Sequence, residues 1–225
     1  MKLADRLRRA GELLRDLVFV PLCPVCREPG DPLCPDCAKK LDAAFSPLEI
    51  FRSDMTFDSA ISSFDFADPS VRELIYRLKR VGSKNSVTVC RDAAARAIRS
   101  NSVYLSADVI TWVPRDPKSV RYFGFDQAKL LAESLSGMLG IECEELLIRT
   151  KKTVAQKKLD RRQRKENVKD AFNCPVKRFG GEVLLVDDMI TTGSTVSAAS
   201  SALKKAGFDK VLVLSPASAD KRKQE

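Results

Sequence analysis

Asp187 and Asp188 stand side by side after the apolar run Val183-Leu184-Leu185-Val186, and Thr191-Thr192-Gly193-Ser194-Thr195 follows two residues later. Such a pair cannot serve a phosphate, because like charges repel. It suits sugar hydroxyls, or a magnesium ion held mainly through water. The hydroxyl residues do the opposite work: Thr191, Thr192, Ser194 and Thr195 offer donors, and Gly193 lets backbone approach an anion closely. Acids and donors together imply a sugar phosphate as ligand.

These side chains need elements to hold them. Four consecutive apolar residues, two of them Val, fit a strand buried on both faces, as in a parallel sheet. Val196, Ala199 and Leu203 then recur at helical spacing. The acids thus stand at the carboxyl end of a strand, where open α/β sheets bind ligands. The hydroxyl run leads into a helix start, whose unpaired N–H groups and dipole favour phosphate.

A second constellation lies near the N-terminus. Cys23-Pro24-Val25-Cys26 and Cys34-Pro35-Asp36-Cys37 are two C-x-x-C pairs seven residues apart, the spacing of a four-cysteine zinc site. Pro24, Pro29, Pro32 and Pro35, with Gly30, prevent a long regular element, so a metal is expected to order the segment. Four thiolates on one ion leave no open position, which makes the zinc structural. A redox dithiol is the competing reading, but it needs only one pair. Cys90, Cys143 and Cys174 are isolated and read as free thiols.

The chain has 225 residues, 44% of them hydrophobic, and no His. That size allows one domain plus a small appendage. Without His there is no Ser-His or Cys-His nucleophile, and any acid or base must be a carboxylate, Lys, Tyr or Cys. A formal charge of +9 favours acidic partners: nucleic acid, phosphorylated metabolites or an anionic surface. The first twenty residues mix both charge signs, and no later run reaches membrane-spanning length. A cytoplasmic location without stable membrane insertion is the expectation.

Taken in order, residues 1–20 form an amphipathic helix with Leu3, Leu7, Leu14 and Leu17 on one stripe, suited to docking on the body or meeting a membrane or partner. Residues 21–45 are the zinc element and 46–68 a linker with short strands. Residues 69–217 form the main α/β domain, and 218–225 a charged tail. Within that domain, Val71, Leu74, Ile75 and Leu78 mark a helix. Val109 to Val113 read as a strand stopped by Pro114, and Arg115 to Arg121 as a basic loop at its carboxyl end. The stretch 149–169, dense in Lys and Arg, reads as a solvated or mobile loop. Phe208 to Ser215 closes the sheet.

The thirteen residues from Val183 to Thr195 resemble the phosphoribosyl-pyrophosphate (PRPP) loop of type I phosphoribosyltransferases. The larger pattern resembles the ComF family of bacterial competence proteins. Its parts are the four cysteines; Arg72-Glu73-Leu74-Ile75-Tyr76-Arg77-Leu78-Lys79 with Gly82; Val113-Pro114, Arg121, Gly124-Phe125 and Gln127; then Thr153, Gln156, Leu159, Arg162, Asn167 and Phe172; and the PRPP-type loop. Where the family commonly has Arg-Gly-Phe-Asn-Gln, this chain has Phe123-Gly124-Phe125-Asp126-Gln127.

The resemblance implies an α/β fold of the type I phosphoribosyltransferase kind, a central parallel sheet flanked by helices with a zinc-ribbon-like N-terminal element. It also implies PRPP with magnesium as ligand and a role in DNA uptake, with single-stranded DNA and competence proteins as candidate partners. Asp187 and Asp188 would hold the ribose hydroxyls and Thr191 to Thr195 the 5′-phosphate. Arg115 and Arg121 would meet the pyrophosphate, while Gln156, Arg162 and Asn167 would belong to a covering loop. No catalytic residue is singled out. Two rival readings remain: a non-catalytic single-stranded-DNA-binding accessory that keeps PRPP as effector, and a nucleobase salvage enzyme.

Overall fold

The computed structural model describes residues 20–50, 53–150, 171–177 and 180–219. The expected N-terminal helix up to residue 19, the covering-loop residues Gln156, Arg162 and Asn167, and the tail from 220 onward lie outside them. The main sheet has six strands in the order β1 (Phe45–Ile50), β2 (Ser59–Asp65), β8 (Lys210–Ser218), β7 (Glu182–Val186), β3 (Val109–Trp112) and β4 (Glu142–Cys143). Only the β1–β2 pair is antiparallel; the other neighbours are parallel. A small antiparallel pair, β5 (Ile148–Arg149) with β6 (Phe172–Asn173), stands apart.

The continuous apolar runs are explained by burial on both faces. Leu184 and Val186 of β7 join Leu212 and Leu214 of β8 in one core layer. Val183, Leu185, Val211 and Val213 enter the opposite layer. The first layer is covered by α2 (Pro69–Arg80), α3 (Lys84–Arg99) and α5 (Gln127–Leu139), the second by α6 (Ser194–Lys205). α1 (Pro35–Ala44) adds Leu41 to the first layer, and α4 (Pro117–Phe123) is a short helix after β3.

Three placements differ from the simplest reading of the sequence. β8 does not close the sheet; it lies between β2 and β7, because a strand apolar on both faces needs a hydrogen-bonding neighbour at each side. Residues 46–68 supply β1 and β2, both in the main sheet. The weak alternation of β2 has a cause: Ser59, Ser62 and Ser63 are all buried. The Ser59 hydroxyl meets the Tyr104 hydroxyl at 2.6 Å and that of Ser62 meets Ser215 at 2.8 Å, so these two pass as core, while the Ser63 hydroxyl has no partner among the described residues. The Arg115–Arg121 stretch is largely helical, since Asp116 caps α4 by accepting from Lys118 N–H at 2.9 Å, Pro117 opens it and Gly124 ends it at φ 80°.

Candidate functional site

The carboxyl ends of β3, β7 and β8 meet at the acidic pair. Asp187 continues the sheet by donating its N–H to Leu214 O at 3.0 Å, and its own Oδ1 accepts the Asp188 N–H at 2.8 Å. Ile190 returns to β8, donating to Ala217 O at 3.0 Å and accepting from Ala219 N–H at 2.8 Å. The loop is therefore pinned at both ends.

Within it the Thr192 and Ser194 hydroxyls lie 3.0 Å apart, and Gly193 adopts φ 75° as the residue before α6. Gly193 has no side chain with which to cap α6, and Thr192 Oγ1 accepts the Ser194 N–H at 3.4 Å, so the next N–H groups of the first turn are the donors offered to an anion. Asp187, Asp188, Thr191, Thr192, Gly193, Ser194 and Thr195 thus share one end of the sheet.

The two acids are not equivalent. Asp188 is 6% exposed and is held by Lys79 Nζ at 3.0 Å and by the Gln127 side-chain amide N–H, which donates to Oδ2. Asp187 is half-buried, and burial together with the Asp188 charge raises its carboxyl well above the usual range. Gln127 is 8% exposed, and its amide oxygen has no partner among the described residues. Asp188 fixes that orientation, because a carboxylate facing an amide oxygen would be repelled.

Arg115 acts as a strut behind the pair. Its guanidinium donates to Lys79 O at 3.0 Å and Phe125 O at 3.3 Å, while its backbone N–H donates to Asp126 Oδ2 at 2.8 Å. The Phe123 and Phe125 rings flank it at 4.3 and 5.5 Å. Burial lowers its pKa, against the opposing charges of Asp188 and Asp126. Arg121 is exposed on α4 and lines, with Arg115, Lys129 and Arg149, a 440 Å³ cavity beside β3.

Sequence reasoning gave Lys79, Gln127 and Arg149 no role at the pair. Lys79 and Gln127 belong to the motifs quoted above, but only the last turn of α2 and the start of α5 bring them to Asp188. Arg149 ends β5 and donates to Pro114 O at 3.2 Å. No periodicity signals that contact.

The four cysteines converge as well. Their sulfurs all lie within 4.8 Å of one another, and those of Cys26 and Cys34 are 3.6 Å apart. A tetrahedral zinc with Zn–S bonds of about 2.3 Å spaces its ligands by ~3.8 Å, so the cluster could hold a metal ion such as zinc. Cys23 and Cys26 sit on a tight turn closed by Cys23 N–H to Glu28 O at 3.0 Å. Cys34 and Cys37 sit at the start of α1, so the second pair uses a helix terminus instead of a second hairpin knuckle. Burial opposes ionisation of Cys23, yet backbone N–H groups of Cys34, Cys26 and Val25 draw its pKa down to about 6.

Among known proteins, DNA utilization protein YhgH of Escherichia coli K12 is 31% identical over 204 residues, covering 85% of this chain and 88% of that protein. The chain belongs to the ComF family. Competence protein F of Haemophilus influenzae is 38% identical over 94 residues, 40% of this ComF chain and 41% of that protein. Among solved structures, glutamine PRPP amidotransferase from B. subtilis is 21% identical with a TM-score of 0.41, covering 62% of this chain and 30% of that one. No family model matches the chain. Among the described residues no helix is long and apolar enough to cross a membrane.

Proposed function

We propose that this ComF chain binds PRPP, or a closely related sugar phosphate, at the end of the sheet and acts in the uptake or use of DNA from the cytoplasmic side. The observation that carries the reading is the pinned loop, which puts two carboxylates and a glycine-led helix start on one short segment. Thr191 to Thr195 hold the 5′-phosphate through hydroxyls and helix N–H groups, and Asp187 accepts from the ribose hydroxyls. Asp188 is held by Lys79 and Gln127 and keeps Asp187 in place. Arg115 braces that arrangement from behind, and Arg121 and Arg149 lend positive charge on the pyrophosphate side.

The carboxylate donor set fits a hard cation, and Asp187 and Asp188 are the residues that would hold magnesium. Magnesium bound with the pyrophosphate supplies charge neutralisation of the leaving group. In a site without His, that charge matters more than a strong base if a pentosyl group is transferred. At the other end of the chain, Cys23, Cys26, Cys34 and Cys37 hold a structural zinc.

Replacing both acids, Asp187→Asn with Asp188→Asn, should weaken PRPP binding in the presence of magnesium at least tenfold by calorimetry, circular dichroism serving as the folding check. Unchanged affinity in a folded double variant would sink the site assignment.

A second reading, direct contact with single-stranded DNA, draws on the +9 charge and on the relative named for DNA utilization. Phosphate contacts release counterions, so binding of a short single strand should weaken steeply with salt. A slope near zero excludes this reading.

A further inference from the structure

The acidic pair is the place given above to a magnesium ion, yet one oxygen of Asp188 already faces a cation of the chain itself. Lys79 Nζ lies 3.0 Å from Asp188 Oδ1, while the Gln127 amide N–H donates to Oδ2. An ammonium and a divalent ion crowded against one carboxylate oxygen repel each other.

Three cations lie within electrostatic reach of the pair: Lys79, Arg115 and Arg149, with Asp126 as a third acid. Two of these cations are fixed by the backbone. Arg115 donates to Lys79 O at 3.0 Å and to Phe125 O at 3.3 Å, and Arg149 donates to Pro114 O at 3.2 Å with its guanidinium 4.8 Å from the Phe172 ring centroid. Lys79 is held differently. Its ammonium pairs with Asp188 and with no other acid among the described residues, its side chain is 38% exposed, and it rides on a flexible aliphatic stem in the last turn of α2.

Lys79 is therefore the cation that can leave, but not without a replacement. Asp188 is 6% exposed, and stripping a buried carboxylate of its partner is strongly destabilising. The replacement must be positive, small and suited to oxygen donors from two adjacent carboxylates. A hard divalent cation meets all three conditions.

We propose that Lys79 is a placeholder for that cation: its ammonium neutralises Asp188 in the free protein and gives way when a divalent metal ion binds the acidic pair. The proposal rests on the reading of Asp187 and Asp188 as a magnesium site, and not on PRPP. Each metal ion must displace an ammonium to enter, so Lys79 holds the metal affinity of the free protein down.

The test titrates Mn²⁺, an oxygen-seeking ion visible by electron paramagnetic resonance, into the zinc-loaded full chain without PRPP. Lys79→Met should bind Mn²⁺ roughly tenfold more tightly than the parent, and Lys79→Arg, which keeps a cation beside Asp188, should match the parent. Arg80→Met controls for net charge, because it removes one cation from the adjacent exposed residue; its gain should stay below about threefold. Asp188→Asn added to Lys79→Met should remove the gain. A thermal readout accompanies these: without metal Lys79→Met should melt below the parent, and Mn²⁺ should restore it. Lys79→Gln takes the place of the Met variant if that one does not fold.

Equal Mn²⁺ affinity for the parent and Lys79→Met overturns the proposal. So does an equal gain in Arg80→Met or Lys79→Arg, or a gain that survives Asp188→Asn. A separate PRPP titration of the unmodified protein keeps the two readings distinct. A Mn²⁺ gain in a protein that binds no PRPP retains the exchange and removes the sugar-phosphate reading, while PRPP binding with no Mn²⁺ gain does the reverse.

Discussion

At Asp187 the chain accepts a cost for holding a charged carboxylate. An unfolded aspartate titrates near 4, while burial and the neighbouring Asp188 charge raise the folded carboxyl to about 8. Between those values the folded state binds more protons, so stability falls as pH rises. Asp187→Asn removes the penalty. The variant should melt a few degrees above the parent at pH 8, a gain of about 1–3 kcal/mol, and the gap should shrink toward pH 5. A gap that is constant across this range would show that the carboxyl does not carry the cost. Gln127 has a related tension, since its buried amide oxygen has no partner among the described residues while its nitrogen serves Asp188.

Among the elements, the turn between α2 and α3 does more than connect helices. Gly82 holds φ 58°, and a Cβ there would lie 2.7 Å from the Phe125 ring. Phe125 in turn offers its carbonyl to Arg115, whose guanidinium also takes Lys79 O. A methyl at residue 82 therefore strains its own backbone and pushes on the strut behind the acidic pair. Gly82→Ala should cost about 1–3 kcal/mol in urea unfolding and weaken PRPP binding as well. Stability lost with affinity retained would separate the strut from the site. The α5 start shows the same economy: Asp126 caps the helix while its other oxygen receives the Arg115 N–H, so capping and placement of Gln127 share one side chain.

For the whole molecule, the four-cysteine element is part of the main core. Leu41 of α1 belongs to the same buried cluster as Leu74, Ile98 and Leu184, and Val25 and Leu33 pack against it. β1 leaves α1 directly and forms the edge of the main sheet. Metal loss should therefore be felt throughout. Chelation should lower the melting temperature by about 10 °C or more in a single transition. Two separate transitions would mean that the element unfolds independently of the sheet.

Local pattern was enough for whatever local chemistry dictates. The spacing of Cys23, Cys26, Cys34 and Cys37 announced the sulfur cluster, because a metal's geometry is written in ligand spacing. The run from Val183 to Thr195 announced strand, acids, glycine turn and helix, because each part depends on its immediate neighbours. Strand order was not legible: β8 and β2 read alike in hydropathy whether at the edge or the centre of a sheet, and their serines hid in the core by pairing with residues such as Tyr104 and Ser215. Nor was the asymmetry of the acids. Two adjacent aspartates are identical in sequence, and only packing brings Lys79 and Gln127, 109 and 61 residues away along the chain, to one of them. The sequence by itself determined which chemical groups the site contains. The tertiary structure decided which acid is held by Lys79 and Gln127 and which one has its pKa raised, because electrostatic environment depends on distance in space and not on distance along the chain.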